Sequence, residues 1–288
     1  MIQKNMKLMN NILVTGSSGQ LGEEVVLQLR SKGYSVTGID IIPSRTTDKI
    51  VDISNPFEVQ NAIGEMGGVI HTAAIHGKHY ALDFPREDFI RTNINGTFNL
   101  LQASLENKIE KFVSISTTSI YGNAMVDSKN AVWVDEMLTP NPRDIYDITK
   151  LTSELLCRDY FEKEGLESVV LRVSRFLPEP DNLKANHRLY RGLDERDGAA
   201  AVILALEKKF KDFEIFNISN LSPFQKEDLT EIKKNPKAVI LKYYPEAGEV
   251  YARQGWEFPK EIDRVYCIDK AREMFNYKPK FNFDIFLR

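Results

Sequence analysis

Tyr146 and Lys150 stand four residues apart in a stretch whose apolar spacing predicts a helix over 143–164, so both side chains leave one face of that helix. A phenol, with an ordinary pKa of about 10, is a poor base at neutral pH, and an ammonium a few ångströms away favours the phenolate. Such a pair can take a proton from an alcohol, or return one to a ketone, while a hydride moves to or from a nicotinamide. Tyr and Lys four apart also occur as plain surface pairs, so the neighbouring sequence has to decide. The run Ser116-Thr117-Thr118-Ser119-Ile120-Tyr121-Gly122 follows a predicted strand at 111–115. It sets hydroxyls at a strand's carboxyl end, where they can bind the oxygen whose proton Tyr146 handles. The alternative is a Ser/Thr loop that caps the next turn.

Residues 15–22, TGSSGQLG, space their glycines three apart, between an apolar run at 11–15 and an amphipathic run carrying Leu21, Val25, Val26 and Leu29. A tight turn at that point lets a pyrophosphate approach backbone N–H groups at a helix N-terminus. Gly16 and Gly19 permit the backbone geometry, and Gly22 lets helix and strand pack closely. A lone match of this kind can be a plain structural turn, but its place between strand and helix is the one the mechanism demands. Asp40 lies 24 positions after Gly16, at the end of a second predicted strand. A carboxylate there accepts hydrogen bonds from the adenosine ribose hydroxyls and repels a 2′-phosphate, which favours NAD; nearby Arg45 keeps a 2′-phosphate reading open.

These residues need a scaffold, and the chain supplies its rhythm. Short β-branched runs at 49–51, 68–71, 111–115 and 168–173 alternate with helical patterns at 55–65, 86–107 and 143–164. That order predicts an α/β fold, a Rossmann-type doubly wound parallel sheet. The rhythm degrades after residue 176: Pro178, Pro180 and Asp181 open an irregular stretch, a helix at 197–209 and a strand at 213–218 follow, and turns and aromatics fill the rest. We expect residues 1–175 to be the dinucleotide-binding domain and 176–288 to be mostly a small C-terminal substrate lobe at the sheet's carboxyl edge, where ligands of such sheets bind.

Composition bounds the function. The chain has 288 residues, 42% hydrophobic and 27% charged, with a formal net charge of -3, which is ordinary for a soluble globular protein and excludes a disordered, collagen-like or disulfide-scaffold chain. No basic stripe suggests a nucleic acid or an anionic membrane as partner. No apolar run approaches the ~18 residues of a membrane span, and MIQKNMKLMNN lacks the apolar core of a signal peptide. Two distant cysteines, Cys157 and Cys267, fit a reducing compartment, so a cytoplasmic protein is expected. His71, His76 and His79 have no partner spaced for a zinc site, and no metal is expected. Trp256 and the late tyrosines Tyr243, Tyr244 and Tyr266 read as core residues rather than sugar-stacking groups.

Together these motifs resemble the extended short-chain dehydrogenase/reductase superfamily, in its NAD-dependent epimerase/dehydratase family, over residues 11–220. TGSSGQLG matches the family's TGxxGxxG, and Tyr146-Asp-Ile-Thr-Lys150 matches YxxxK. Asp52-Ile53 resembles the segment that contacts adenine, and His71-Thr72-Ala73-Ala74 the strand-four segment along the cofactor. Asn93-Ile-Asn-Gly-Thr97 resembles the helix-four signature, and residues 268–279 the usual C-terminal ending. The resemblance implies an enzyme: an NAD-dependent oxidoreductase, epimerase or dehydrogenase, that acts on a sugar or sugar nucleotide. It makes Tyr146 the general acid/base, Lys150 the group that lowers its pKa and holds the ribose, and Thr117 the hydroxyl that orients the substrate. Ser119 becomes a second substrate contact. The implied cofactor contacts are Gly16, Ser18, Gly19, Gln20, Leu21, Asp40, Asp52, Ile53, Ala73, Asn93 and Lys150. A homodimer through the helices at 86–107 and 143–164 is implied by the resemblance alone.

Departures from the pattern narrow the reaction. Sugar-nucleotide 4,6-dehydratases carry Asp-Glu after the catalytic threonine, because elimination of water needs a separate acid and base. Thr118 and Ser119 stand there in this chain and argue against dehydration. Arg175 takes the place of an asparagine common in the epimerases; a guanidinium there either binds phosphate or carboxylate or serves a structural salt bridge. The stretch LRVSRFLPEP at 171–180 also resembles uronate dehydrogenases, which implies a free sugar acid as the alternative substrate, with Lys184, Arg188 and Arg191 as candidates for its carboxylate. His76, Lys78 and Tyr80, in a loop after the fourth strand, are candidate substrate contacts. The rival from another class is a regulator that senses NAD and has lost catalysis; such proteins usually lack the tyrosine or the lysine, and both are present here.

Overall fold

The computed structural model describes residues 10–76 and 83–288; Lys78, His79 and Tyr80 lie outside the described residues. Strands β1 (Asn11–Thr15), β2 (Ser35–Asp40), β3 (Lys49–Ile50), β4 (Gly68–His71), β5 (Lys111–Thr117), β7 (Ser168–Val173) and β8 (Glu214–Ile218) form a seven-stranded sheet in the order β3-β2-β1-β4-β5-β7-β8. Helices flank it, in the doubly wound α/β arrangement expected from the alternation. The strands read as continuous apolar runs because both faces are covered: Ile12, Leu13 and Val14 are all fully buried, as are Val69 and Ile70. β1 pairs in parallel with β2 on one side and β4 on the other, and its last residue, Thr15, is in register with His71. The order reverses between β1 and β4, so the chain leaves their adjacent carboxyl ends toward opposite sides and opens a crevice there.

Helix α1 (Gln20–Ser31) follows the glycine turn and buries Leu21, Val25, Val26 and Leu29. Helix α2 (Pro56–Ile63) starts with proline in its first turn and is capped by Asn55, whose side chain accepts from the Phe57 and Glu58 N–H groups. The helix expected at 86–107 is interrupted. A short turn at Arg86–Phe89 passes into a π-helical stretch at Ile90–Asn95 before α3 (Gly96–Glu106) resumes α geometry. The wider turn changes which side chains face inward, and it delivers Asn93 into the interior, where it is 1% exposed. The longest helix, α4 (Ile145–Glu164), is capped by Asp144 and closed by Gly165 in left-handed geometry. β5 runs two residues beyond the expected 111–115, so Ser116 and Thr117 are strand residues with side chains on opposite faces.

Two compact units interleave along the sequence. The first holds residues up to Ile120 together with Pro142–Arg172 and Ala199–Ile215; the second holds Tyr121–Asn141, Val173–Gly198 and Phe216–Arg288. The first is built on Leu13, Ile39, Val69, Leu100, Phe112, Cys157 and Val170. The second has its own core of Leu189, Phe224, Ile240, Tyr251, Ile262 and Phe283, and a two-stranded parallel sheet of β6 (Val132–Val134) and β9 (Arg264–Tyr266). Tyr243, Tyr244 and Trp256 pack against that core, with Tyr251 stacked on Phe258 at 4.2 Å between ring centroids. Tyr266 joins a smaller buried cluster with Tyr121 and Met125. Both cysteines are free thiols. Among the described residues no helix is long and apolar enough to cross a membrane, and no group of three or more His, Cys, Asp or Glu side chains is placed to hold a metal ion.

Beneath α4 the first unit buries an ion pair. Arg172 donates to both oxygens of Glu154, from Nη2 at 2.7 Å and from Nε at 3.1 Å, and Ser116 Oγ donates to Glu154 Oε1 at 2.5 Å. The two ionic side chains are 5% and 3% exposed, so removing one leaves the other charge stranded. Glu154→Leu is expected to cost about 3–5 kcal/mol in urea unfolding, and the double change Glu154→Leu with Arg172→Leu to regain most of it. A single variant as stable as the wild type would show that the pair does not hold this layer together.

Candidate active site

The glycine turn is shaped by close approaches. Gly16 has φ +68, and a Cβ there would lie 2.7 Å from the backbone nitrogen of Ala73. A Cβ on Gly22 would lie 2.1 Å from the Gly16 carbonyl oxygen, so α1 cannot start so near β1 with any larger residue at that position. Ala73 is fixed in turn. Thr97 Oγ1 donates to the Asn93 carbonyl at 2.6 Å, so the 3.0 Å bond between His71 Nε2 and Thr97 Oγ1 has the imidazole as donor. His71 Nδ1 then accepts from Thr15 Oγ1 at 2.9 Å, and Thr15 Oγ1 accepts from the Ala73 N–H at 3.2 Å. Burial, aided by the Lys150 charge, pulls the His71 pKa down to about 3, so this ring stays neutral and serves as a structural relay of hydrogen bonds.

Asp40 ends β2 with one oxygen accepting from the Ser18 N–H at 3.0 Å and the other from the Ile42 N–H at 3.0 Å. The carboxylate is held at the turn, and each oxygen keeps a lone pair for a ribose hydroxyl. Arg45, the residue that left a 2′-phosphate reading open, donates through Nε to Glu23 at 2.8 Å. Asp52 accepts from the Ser54 N–H at 2.9 Å, and Ile53 lies so close under Gly96 that a Cβ there would sit 2.7 Å from its Cδ1. A turn that only glycine can form and a ribose-side carboxylate fit a dinucleotide.

Tyr146 and Lys150 are both buried on one face of α4. The Thr117 hydroxyl lies near enough to the Tyr146 phenol to favour its ionised form. Burial pushes the phenol above its ordinary pKa; the Thr117 hydroxyl opposes this and the nearby Asp147 and Asp144 carboxylates add to it. On the protein's own groups the phenol stays protonated at neutral pH. Burial also lowers the Lys150 pKa to about 8, against the opposing pull of Cys157 and Glu154, so its charge is retained below that pH. The hydroxyl run divides by the strand's alternation: Ser116 turns to Glu154, Thr117 to Tyr146. Ser119 bonds Thr117 Oγ1 through its N–H at 3.1 Å and accepts at Oγ from Arg143 Nη2 at 3.2 Å.

The π-helical turn gives Asn93 a clamping role. Its Oδ1 accepts from the Ile75 N–H at 2.8 Å, while Nδ2 donates to the Ile75 carbonyl at 3.1 Å and to Thr149 Oγ1 at 3.0 Å. The segment after β4 is thereby tied to α4 one residue before Lys150. The next residue, His76, lies with its ring 5.1 Å from that of Tyr146. Sequence reasoning missed Arg143 and Asp147. Asp147 is fully buried at the third position of α4, and its Oδ2 accepts from the Arg143 N–H at 3.2 Å. A carboxylate directly after the motif tyrosine, capped by Asp144, was the available signal.

The second unit places the other arginines. Arg188 is buried, donating to Asp194 at 3.0 Å and to the Phe281 carbonyl at 3.1 Å. Arg175 pairs with Glu179, and the other oxygen of Glu179 bonds His187 Nδ1 at 2.7 Å. Arg191 donates from Nη2 to His187 Nε2 at 3.0 Å, while its buried Nε has no hydrogen-bond partner among the described residues.

Residues 12–191 match the NAD dependent epimerase/dehydratase family, and the chain belongs to that family. NAD is its cofactor. Among curated proteins it is similar to a uronate dehydrogenase of Pseudomonas putida, 25% identical over 61% of this chain and 64% of that protein. It is also similar to a UDP-glucose 4-epimerase of Rhizobium meliloti, 31% identical over 57% and 51%. The matches span 26% to 64% of the length of the first such relatives. The fold is that of a short-chain dehydrogenase/reductase superfamily protein from Agrobacterium tumefaciens solved with bound NAD, at 21% identity and TM-score 0.73 over 96% of this chain and 94% of that one. A UDP-glucose 4-epimerase from Thermotoga maritima shares it at 22% identity and TM-score 0.71, over 96% of both chains.

The contact between Gly16 and Ala73 yields a direct test. Gly16→Val is expected to weaken NADH binding, read by fluorescence titration, by at least ~10-fold, since β-branching disfavours the left-handed backbone and the Cβ meets the Ala73 backbone. The far-ultraviolet circular dichroism should stay unchanged. Wild-type affinity in this variant would remove the turn from the cofactor site.

Proposed function

We propose that this protein is an NAD-dependent oxidoreductase acting on a sugar or sugar nucleotide, as an epimerase or a dehydrogenase, with Tyr146 as general acid/base. The burial of Tyr146 and Lys150 on one face of α4, with the Thr117 hydroxyl beside the phenol, carries this reading. NAD, when bound, supplies the hydride acceptor and, as NADH, the donor. The protein's own part is the proton. Thr117 holds the reacting hydroxyl against the Tyr146 oxygen, and Tyr146, once its phenol has given its own proton to solvent, takes the hydroxyl's proton as the alcohol becomes a ketone. Lys150, still cationic at neutral pH, offsets the charge that the buried phenol acquires. The reverse transfer returns the proton from the phenol to the ketone oxygen. In this reading a hydroxyl, a phenol and a cation on neighbouring elements supply the general acid–base step.

Ser119 and His76, beside Thr117 and Tyr146, are the substrate contacts of the first unit in this reading. In the second unit Arg191 Nε has no hydrogen-bond partner among the described residues, while Arg188 and Arg175 are engaged by Asp194 and Glu179. If the cofactor is recycled in place, the product is an epimer; if NADH leaves, it is a ketone or lactone.

Purified protein with NAD is presented with free sugars, sugar acids and nucleotide sugars, following NADH by absorbance and epimers by NMR. Tyr146→Phe is expected to lower turnover of the accepted substrate by at least ~10²-fold while NADH still binds. Undiminished turnover would remove Tyr146 from the mechanism, and a wild-type protein that binds NAD yet converts nothing would favour a sensing role.

A further inference from the structure

Arg143 enters no motif of the chain, yet its guanidinium reaches the site's hydroxyls. Nη2 donates to Ser119 Oγ at 3.2 Å, the Ser119 N–H donates to Thr117 Oγ1 at 3.1 Å, and the Thr117 hydroxyl lies beside the Tyr146 phenol. The cation therefore stands two hydrogen-bonded residues from the proton-transfer oxygen, within the same compact unit. Its side chain is 43% exposed, so a ligand can reach it.

The guanidinium is oriented without being neutralised. Nε lies 3.5 Å from Asp147 Oδ2, longer than a hydrogen bond, and Nη1 has no partner among the described residues. Asp147 is a weak counter-charge: it is wholly buried, its Oδ1 has no hydrogen-bond partner among the described residues, and burial raises its pKa. Asp144, the other nearby carboxylate, is turned onto the Asp147 N–H at 3.0 Å as the helix cap. An arginine fork beside a buried carboxyl, with Nη2 at the Ser119 hydroxyl, suits a planar anion.

Position selects among anions. A group bound here while Thr117 and Tyr146 engage a hydroxyl must sit on the same sugar ring, a few ångströms from the oxidised carbon. A ring carboxylate satisfies that. Resting on the oxidoreductase reading above, we propose that Arg143 is the specificity-determining residue for a carboxylate on the reacting sugar, so that the substrate is a sugar acid. The acid is either free or carried by a nucleotide; both present the same carboxylate to Arg143.

The test is binding to the NAD-saturated full chain, measured by the thermal shift produced by matched ligands: galacturonate against galactose, glucuronate against glucose, and UDP-glucuronate against UDP-glucose. The acid of at least one pair should bind more tightly than its neutral partner, and Arg143→Met should shrink that preference roughly 10- to 100-fold. Arg143→Lys, which keeps charge and loses the fork, should fall between, and Arg191→Met should leave the preference in place. A preference confined to the free uronates identifies a free sugar acid, and one confined to the UDP pair a nucleotide-linked acid. The proposal is overturned if no pair favours its acid, if Arg143→Met keeps the preference, or if Arg191→Met abolishes it instead. Full turnover in Tyr146→Phe sinks the catalytic reading and leaves the binding result standing, so the two failures are distinct.

Discussion

The Tyr146 phenol is kept out of water. Burial of Tyr146 favours its neutral form, and the structure around it answers that penalty. Lys150, one turn further along the helix, is buried as well and loses part of its own basicity, falling to about pKa 8. Glu154, a turn beyond, pulls the lysine back toward its charged form, and Arg172 and Ser116 hold Glu154 in place. Tyr146, Lys150, Glu154 and Cys157 are buried along one face of α4, where Glu154 favours the charged form of Lys150. The same low-dielectric surroundings that make the phenolate costly strengthen any positive charge brought beside it.

The sheet provides the second constraint. β1 and β4 end side by side, and the hydrogen-bond chain from Ala73 through Thr15 and His71 to Thr97 locks the segment after β4 against the glycine turn. Asn93 extends that lock to Ile75 on one side and Thr149 on the other. The glycine turn and α4 are therefore joined by buried polar groups that are all satisfied, which gives a unique geometry rather than a merely stable one.

Much of this was legible in the sequence because it depends on local rules. Glycines at 16, 19 and 22, an acid ending β2, and a tyrosine and lysine at helical spacing each carry their physics within a few residues, and the alternation of strands and helices predicted the sheet. What was hidden depends on tertiary context. The π-helical turn at Ile90–Asn95 leaves the apolar pattern of a helix intact, so nothing in the spacing announces that Asn93 turns inward. The hydroxyls after Ile115 looked equivalent until the strand continued to Thr117 and its alternation sent Ser116 to Glu154. Arg143 reads as an ordinary polar residue opening a predicted helix, and only the fold brings Ser119 to it, 24 residues earlier in the chain. Arginines of the second unit were visible as charges, whereas their partners, Asp194, Glu179 and His187, could not be assigned from spacing.

The central claim is that the buried Tyr146 phenol ionises when positive charge is brought beside it. Difference spectroscopy of the near-ultraviolet tyrosinate band tests this without any substrate, comparing protein with NAD and with NADH as pH rises. The account predicts that one tyrosinate forms at lower pH with the oxidised, positively charged nicotinamide than with the reduced one, and that the difference vanishes in Tyr146→Phe and shrinks in Lys150→Met. An identical titration with both cofactors, or a difference that survives in Tyr146→Phe, would contradict it.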